Sequence, residues 1–400
     1  MITKTIDVYI IFGNLFTIQL AILLFGGIYM VKFSILGVNE RNKGNAALVK
    51  TTMKIIKNFI EDAEFFLMGP RSGFLDRVKI IESHTYGMSL KSPGNVMRAF
   101  LMLLKIIIWK KFKIELKFED RYFRYIQESD IVVNSGGDHL SGEYGRSSII
   151  SLTALLYAIF LDKPIVLFSE SLGYHSNPLV RRLLDYVLER SDLILLRDAK
   201  SYQYVQEHVK THDEYYLTAD PAFLLDPSTD TNINFEGFDK PIIGFNVSPL
   251  IAEFAEEIDI VEISIKAIET ISERLGGTIL LVPHVYGKDS DLKILSQIYN
   301  RIDLDNVFLI EDEYEPEELK FIIGNCDLFI GARMHATIAS TSMFVPTVGI
   351  AYSHKMHGII GEMLNLQEYV IDLEKLNSEI LIEKIMLAWK NREKITEHLR

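Results

Sequence analysis

Residues 327–355 read "DLFIGARMHATIASTSMFVPTVGIAYSHK", and this stretch decides the fold class. Two short apolar runs, 327–332 and 347–352, flank a segment of small, helix-compatible residues. Two parallel strands need a crossover connection between them, and that connection is usually a helix. The stretch therefore predicts a strand, a helix and a second strand parallel to the first, with another helix starting at its end.

The same alternation runs along the chain from Met30, which favours parallel sheets covered by helices. A first series of strands is predicted at 32–38, 64–69, 130–136, 164–170 and 192–197. A second series is predicted at 241–247, 278–284, 306–311, 327–332, 347–352 and 369–373. The polar segment 226–241 links them. We expect two α/β domains, 30–235 and 236–376, and a C-terminal helix within 377–400 that packs back toward the first domain.

The composition limits the possible partners and compartments. The formal net charge is -12, so we expect no nucleic-acid partner, because such binding usually requires a basic surplus. Hydrophobic residues make up 48% of the chain, enough for large cores. The single cysteine, Cys326, excludes an internal disulfide and reads as a small buried residue, which fits a reducing compartment.

Two segments suggest contact with a membrane. The first is the N-terminal segment 1–29. The run from Val8 to Val31, which extends into the first predicted strand, has no charged residue and is long enough for a membrane span. It is a membrane anchor, a peripheral or packed helix, or a segment preceding a domain that starts at Met30. The lysines and arginines that follow would keep the main body on the cytoplasmic, inner face. Residues 98–124 carry eight Lys/Arg, three Asp/Glu and an apolar centre, as in a membrane-facing helix or a buried helix with a basic end.

Several cationic side chains follow the strands of 327–355, although a packed core rarely contains cations. A helix start binds anions, and Arg333 adds a planar fork suited to a carboxylate or phosphate. His335 can bond a phosphate or carry a proton. Lys355 falls in the first turn of a helix capped by Ser353, where a cation is unfavourable unless an anion neutralises it. Structural ion pairs or buried hydrogen bonds would also explain these residues.

Other candidates lie where predicted strands end, because ligands gather at the carboxyl ends of parallel strands. Gly136 and Gly137 would let a ligand approach the backbone, although ordinary turns use glycines as well. Further candidates are the proton acceptor Asp138, His284, which is catalytic or closes a loop, and Gly44 and Asn45 at a helix start. The chain has no metal-ligand spacing, P-loop, GxGxxG or GxSxG pattern, so we expect no metal and no cofactor.

A series of motifs, in this order, resembles the polysaccharide pyruvyl transferase family: NKGNAAL, NSGGDHL, SESLGYHSN, LILLRDAKSYQYV, DPAF, LVPH, GARMHATIAS and YSHKMHG. They cover most of residues 30–365. The most specific parts are the Arg-x-His helix start followed by Tyr-x-x-Lys, and then the element containing Arg197, Asp198 and Ser201. The chain departs from the family pattern at GYHSNP, which contains His175, and this leaves acceptor recognition open.

The resemblance implies two Rossmann-like domains in a GT-B-like arrangement, here with an extra N-terminal apolar helix. It implies transfer of a pyruvyl group from phosphoenolpyruvate to two hydroxyls of a sugar or a lipid-linked oligosaccharide, forming a cyclic ketal and releasing phosphate. His335 is then the leading acid–base residue, with His284 and Asp138 as contenders. The implied substrate-binding residues are Asn42, Gly44, Asn45, Gly136, Gly137, Arg197, Arg333, Tyr352, Ser353 and Lys355.

Two other functions stay open on the sequence alone. A GT-B glycosyltransferase using a nucleotide sugar would need nucleoside recognition in the second domain, and no aromatic and acidic pairing clearly provides it. A membrane-tethered carbohydrate-binding protein without catalysis is the other alternative. The presence of Arg333, His335 and Lys355 together argues against it.

Overall fold

The computed structural model describes residues 30–69, 79–81, parts of 101–112, 121–142, 146–255, 257–287 and 290–400. Within these ranges the strands form two separate sheets, and every paired strand in both is parallel. The prediction of an α/β protein built on two parallel sheets is therefore confirmed.

The first sheet comprises β1 (Lys32–Leu36), β2 (Glu64–Met68), β3 (Lys79–Ile81), β4 (Ile131–Asn134), β5 (Ile165–Glu170), β6 (Leu193–Leu196) and β7 (Tyr215–Leu217). The second comprises β8 (Ile242–Asn246), β9 (Thr278–Leu281), β10 (Val307–Leu309), β11 (Leu328–Gly331), β12 (Thr347–Ala351) and β13 (Val370–Asp372). Every predicted strand is present. β3 and β7 were missed, because each is a three-residue strand at an edge of the first sheet and is too short to show a pattern.

The helices of the first half are α1 (Lys43–Phe59), α2 (Arg121–Glu128), α3 (Arg146–Phe160), α4 (Pro178–Leu188) and α5 (Ala199–His208). Those of the second half are α6 (Leu250–Phe254), α7 (Ile260–Leu275), α8 (Leu292–Tyr299), α9 (Pro316–Gly324), α10 (Met334–Ser342) and α11 (His354–Met356), then α12 (Ser378–Lys390) and α13 (Arg392–Leu399). A π-helical turn, His357–Met363, continues α11.

The strand order places a crevice in each sheet. The orders are β3-β2-β1-β4-β5-β6-β7 and β10-β9-β8-β11-β12-β13, so chain direction across the sheet reverses between β1 and β4 and between β8 and β11. Ligands of open α/β sheets bind outside the carboxyl ends of the strands at such switch points. The candidate site therefore lies where β1, β4, β8 and β11 end.

Helix α1 joins the two halves of the molecule. Ala47 and Leu48 on this helix are buried in the same core as residues of the second sheet. Lys43 is fully buried and its Nζ lies 2.9 Å from Glu313 Oε1, while Lys50 Nζ lies 2.7 Å from Glu317 Oε2. The carboxyl ends of the two sheets are thus held facing each other.

The C-terminal helices pack on the second sheet. Helix α12 contacts α7 and strands β11, β12 and β13, all in the second half of the chain. Leu381, Ile385 and Ala388 recur at helical spacing and are buried in the core of the second sheet. The predicted packing of this C-terminal segment toward the first domain stays a prediction.

Other predictions fall partly outside the described residues. The apolar helix expected within residues 1–29 lies outside them, as does most of 98–124. Across the part of the chain that the structure describes, no helix is both long and apolar enough to cross a membrane. We keep 30–235 and 236–376 as proposed domain limits, because the first sheet ends at Leu217 and the second begins at Ile242.

Candidate functional site

Arg333 lies at the end of β11 and caps the start of α10. Its backbone N–H donates to Asn246 Oδ1 at 3.0 Å, which ties the turn to the end of β8. Its guanidinium donates to Asp291 Oδ1 from Nε at 3.0 Å and from Nη2 at 2.8 Å, and it also bonds the hydroxyl of Tyr352. Burial opposes the charge, but Asp291 raises the pKa of Arg333 above its ordinary value. Arg333 is thus a fixed, permanently charged group.

Asp291 is the partner that sequence reasoning missed. It is fully buried before α8, and its Oδ2 accepts the N–H groups of His284 at 3.0 Å and Val285 at 3.1 Å. Burial raises the pKa of its carboxyl despite the nearby Arg333. Its only sequence signal is an aspartate before a helix, which many solvated helices share.

His335 lies in the first turn of α10 and packs directly on Gly44. A Cβ placed on Gly44 would be 2.2 Å from His335 Nδ1, so this contact between the two halves requires glycine. His335 Nε2 lies 3.5 Å from Arg197 Nη1 and 3.7 Å from Asp220 Oδ2. The structure thus brings His335, from the second half of the chain, onto charged groups of the first.

Burial is the main influence on the charge of His335. Burial lowers the pKa of the imidazole to about 4. Asp220 raises the pKa and Arg197 lowers it, so these two charges oppose each other and burial decides the direction. At neutral pH His335 is therefore uncharged and can accept a proton. It could donate one in the same pH range only if a bound anion raised its pKa.

Arg197 connects three segments of the first half of the site through its hydrogen bonds. It is fully buried, and its Nε donates to Ser171 Oγ, its Nη1 to Asp220 Oδ2 and its Nη2 to the Gly137 carbonyl, each at 2.8 Å. Three of the five N–H groups of its guanidinium therefore position the glycine turn, Ser171 and Asp220. The predicted direct contact of Arg197 with substrate stays a prediction.

Asp138 and Lys355 form an ion pair across the two halves. Lys355 Nζ donates to Asp138 Oδ2, and the lysine is 3% exposed. Burial would raise the pKa of Asp138, but Lys355 and Arg197 together bring it below its ordinary value. Asp138 is therefore a carboxylate at neutral pH. Both residues act electrostatically on His335: Asp138 raises its pKa and Lys355 lowers it, although burial has the larger effect.

His284, at the end of the β9 strand segment, is also buried. Burial, together with the positive charges of Arg333 and Lys43 nearby, holds its pKa well below the ordinary value. Its carbonyl accepts the N–H of Lys43 at 3.2 Å, so it also closes the contact between the two halves. These contacts are compatible with both predicted roles of His284, closing a loop and carrying a proton.

The predicted polar and glycine residues mainly shape the backbone. Asn42 caps α1 by accepting the N–H groups of Gly44 at 3.1 Å and Asn45 at 3.3 Å. Asn45 in turn accepts the N–H of Asn39. Ser353 occupies the predicted cap position before α11, but its side chain makes no capping hydrogen bond.

Both glycines of the β4 turn meet close neighbours. A Cβ on Gly136 would lie 2.6 Å from His139 Nδ1, and Gly137 has a φ of 77°, a conformation that side chains rarely adopt. The family-like pair Asp198 and Ser201 fixes the next loop, since Ser201 Oγ donates to Asp198 Oδ2 at 2.7 Å and accepts the N–H of Leu172. These contacts give the residues a structural role, and the predicted approach of a ligand to Gly136 and Gly137 stays a prediction.

The two parallel Rossmann-like sheets with a charged crevice between their carboxyl ends define a GT-B-like enzyme fold. Solved structures share it: UDP-GlcNAc 2-epimerase from Neisseria meningitidis has a TM-score of 0.54 at 14% identity and covers 93% of this chain and 94% of its own. A glycosyltransferase from Rickettsia africae has a TM-score of 0.52 at 11% identity, with 93% and 94% covered. At these identities the likeness concerns the fold alone.

The family assignment rests on sequence. Residues 42–354 match the polysaccharide pyruvyl transferase family, so this chain belongs to that family of polysaccharide-modifying transferases. A relative, the amylovoran biosynthesis protein AmsJ of Erwinia amylovora, is 25% identical over 309 residues, which cover 71% of this chain and 70% of that protein. The matched region includes Arg333 and His335 but ends at His354, one residue before Lys355.

Proposed function

We propose that this protein transfers the pyruvyl group of phosphoenolpyruvate to two hydroxyls of a sugar in a growing polysaccharide, forming a cyclic ketal and releasing phosphate. The observation that carries the proposal is the meeting of Arg333, His335 and Lys355 from the second sheet with Asp138 from the first. Phosphoenolpyruvate bears a phosphate and a carboxylate on a small frame, and fixed cations suit both groups.

The reaction requires three proton transfers. A proton is added to the methylene carbon of the donor, which forms a methyl group and an oxocarbenium-like centre. A sugar hydroxyl attacks that centre and loses its proton to a base, phosphate leaves, and a second hydroxyl closes the ketal with loss of its own proton. We assign both the donation and the acceptance at the first step to His335, with His284 and Asp138 as the alternatives.

The charges of the site explain how one histidine could serve both steps. Arg333, Arg197 and Lys355 are each paired with an aspartate, Asp291, Asp220 and Asp138, so the cations are already balanced. A bound donor would therefore add negative charge beside His335 and raise its pKa from about 4. The protonated imidazole could then deliver its proton to the methylene carbon.

This account predicts that donor binding takes up a proton. Calorimetry of phosphoenolpyruvate binding at pH 7.5, in two buffers with different ionisation enthalpies, should show net uptake by the wild-type protein. Uptake follows because the pKa of His335 starts below the working pH and rises when the anion binds. His335→Ala should bind with markedly less uptake. Equal uptake by both proteins would assign the proton to another group.

The same calorimetry tests the function itself. Phosphoenolpyruvate should bind, whereas UDP-N-acetylglucosamine should not. Binding of the nucleotide sugar alone would favour a glycosyltransferase, the alternative that the GT-B-like fold keeps open. Binding of neither, with retained affinity for a polysaccharide, would favour a carbohydrate-binding protein without catalysis.

We further propose that the protein works at the cytoplasmic face of a membrane, on a lipid-linked acceptor. In the described helical part of 101–112, Leu101, Leu104, Ile108 and Phe112 are exposed, Phe112 by 62%. Their spacing of three or four residues places them on one helix face. Lys105 and Lys111 are exposed beside them, which fits an interfacial helix on anionic lipid.

A vesicle experiment tests this contact. The full chain should float with vesicles containing phosphatidylglycerol and less with vesicles of phosphatidylcholine alone. The double variant Ile108→Asp, Phe112→Asp should lose most of the binding, because charge on this face opposes insertion. Leu217→Asp, at an exposed position on β7, should bind like wild type. Unchanged binding of the double variant would place the contact elsewhere.

A further inference from the structure

An exposed aromatic residue stands beside the donor site. Phe254, the last residue of α6, is 48% exposed. Its ring stacks on Tyr352, with the centroids 5.7 Å apart and the planes at 21°. Single exposed apolar residues are common on protein surfaces, but this ring is held in place by Tyr352 beside the charged crevice, which makes it a candidate contact surface.

The aromatic pair Phe254–Tyr352 is connected to the Arg333–Asp291 ion pair. The Tyr352 hydroxyl bonds the Arg333 guanidinium, so Phe254 is two contacts away from the Arg333–Asp291 pair. The topology explains this proximity. Phe254 follows β8, Arg333 follows β11 and Tyr352 follows β12, and these are neighbouring strands of the second sheet. All three residues lie at the same carboxyl edge.

We propose that Phe254, supported by Tyr352, is the stacking surface for a pyranose ring of the acceptor. The inference rests on the proposed function, because the acceptor must present two hydroxyls next to a donor bound at Arg333. One face of a pyranose ring is made mainly of C–H groups, which are apolar and slightly positive. The face of an aromatic ring is apolar and carries negative electrostatic potential, so the two surfaces are complementary.

Saturation-transfer NMR on the full chain tests the surface with three defined probes: methyl β-D-galactopyranoside, methyl β-D-glucopyranoside and methyl α-D-mannopyranoside. The wild-type protein should transfer saturation to the ring protons of at least one probe. Phe254→Ala should weaken the binding of that probe by about two- to tenfold, the size of an aromatic contact. Phe254→Trp, which restores an aromatic face, should bind like wild type.

Tyr174→Ala is the matched control. Tyr174 is 69% exposed in the first half of the chain and is held by Arg181, whose Nη1 donates to its hydroxyl at 2.7 Å. Sugar binding that is lost in Tyr174→Ala and kept in Phe254→Ala would overturn the proposal, as would a wild-type protein that binds none of the probes.

Phosphoenolpyruvate calorimetry separates this inference from the proposed function. Phe254→Ala should bind the donor with wild-type affinity, because Arg333 keeps its bonds to Asp291. A parallel loss of donor and sugar binding would mean that Phe254 only supports Tyr352 and Arg333, and would overturn the sugar surface. A wild-type protein that binds the sugar probe through Phe254 but not phosphoenolpyruvate would instead overturn the donor assignment alone.

Discussion

His335→Ala is expected to lower turnover by roughly 10²-fold or more, the usual contribution of a well-placed proton carrier. The affinity for phosphoenolpyruvate should change much less, because Arg333 and Lys355 keep their positions. Single-turnover measurements at saturating donor, together with donor calorimetry, would separate the two effects. The reason lies in the site: His335 is uncharged at neutral pH, half-buried, and within 4 Å of two charged groups of the first domain, Arg197 and Asp220.

His335→Gln is the matched variant, since it keeps a polar side chain against Gly44 but cannot carry a proton at neutral pH. It should lose turnover as His335→Ala does while unfolding at the wild-type temperature. If either variant lost donor binding completely and its remaining bound fraction turned over normally, His335 would only hold phosphate. The proton transfer would then be tested at His284.

The second large effect is expected on donor affinity. Arg333→Lys keeps the positive charge opposite Asp291 but loses the planar fork, so the Kd for phosphoenolpyruvate should rise by about tenfold or more. Calorimetry measures it directly. Arg301→Lys is a suitable control, because Arg301 also pairs with a carboxylate, Glu262, at 2.7 Å but is half exposed, and it follows helix α8 whereas Asp291 precedes that helix.

A donor affinity that is unchanged in Arg333→Lys would remove Arg333 from the binding site. If His335→Ala also left donor binding and turnover unchanged, pyruvyl transfer at this crevice would be wrong. Nucleotide sugars should then be tried as donors.

The strands were predictable because parallel strands are buried on both faces and therefore read as continuous apolar runs. β5, for example, is buried at all six positions of IVLFSE. β7 was not predictable, because its three residues are only partly buried and share no run of apolar neighbours. The C-terminal helix was located correctly, but its packing depended on which sheet offered a matching apolar surface, and sequence periodicity does not contain that information.

The cations of the site were recognisable because they follow strands in which charge is unusual. Their partners were not, since Asp291 precedes a helix far from Arg333 in sequence, and Asp220 lies in a turn that has its own structural explanation. The sequence therefore indicated unbalanced positive charge, whereas each cation is paired. Arg197 is an example: its bonds to Asp220 and to the Gly137 carbonyl give it a structural role that the sequence did not indicate, beside the predicted contact with substrate.

Because the site is divided between two domains, the pKa of His335 depends on whether the domains are in contact. His335 belongs to the second domain, while Asp220, Arg197 and Asp138 belong to the first, and helix α1 keeps them in contact through Lys43, Lys50 and their glutamate partners. Separating the domains to release a bulky polysaccharide would expose the imidazole to water and return its pKa toward the ordinary value.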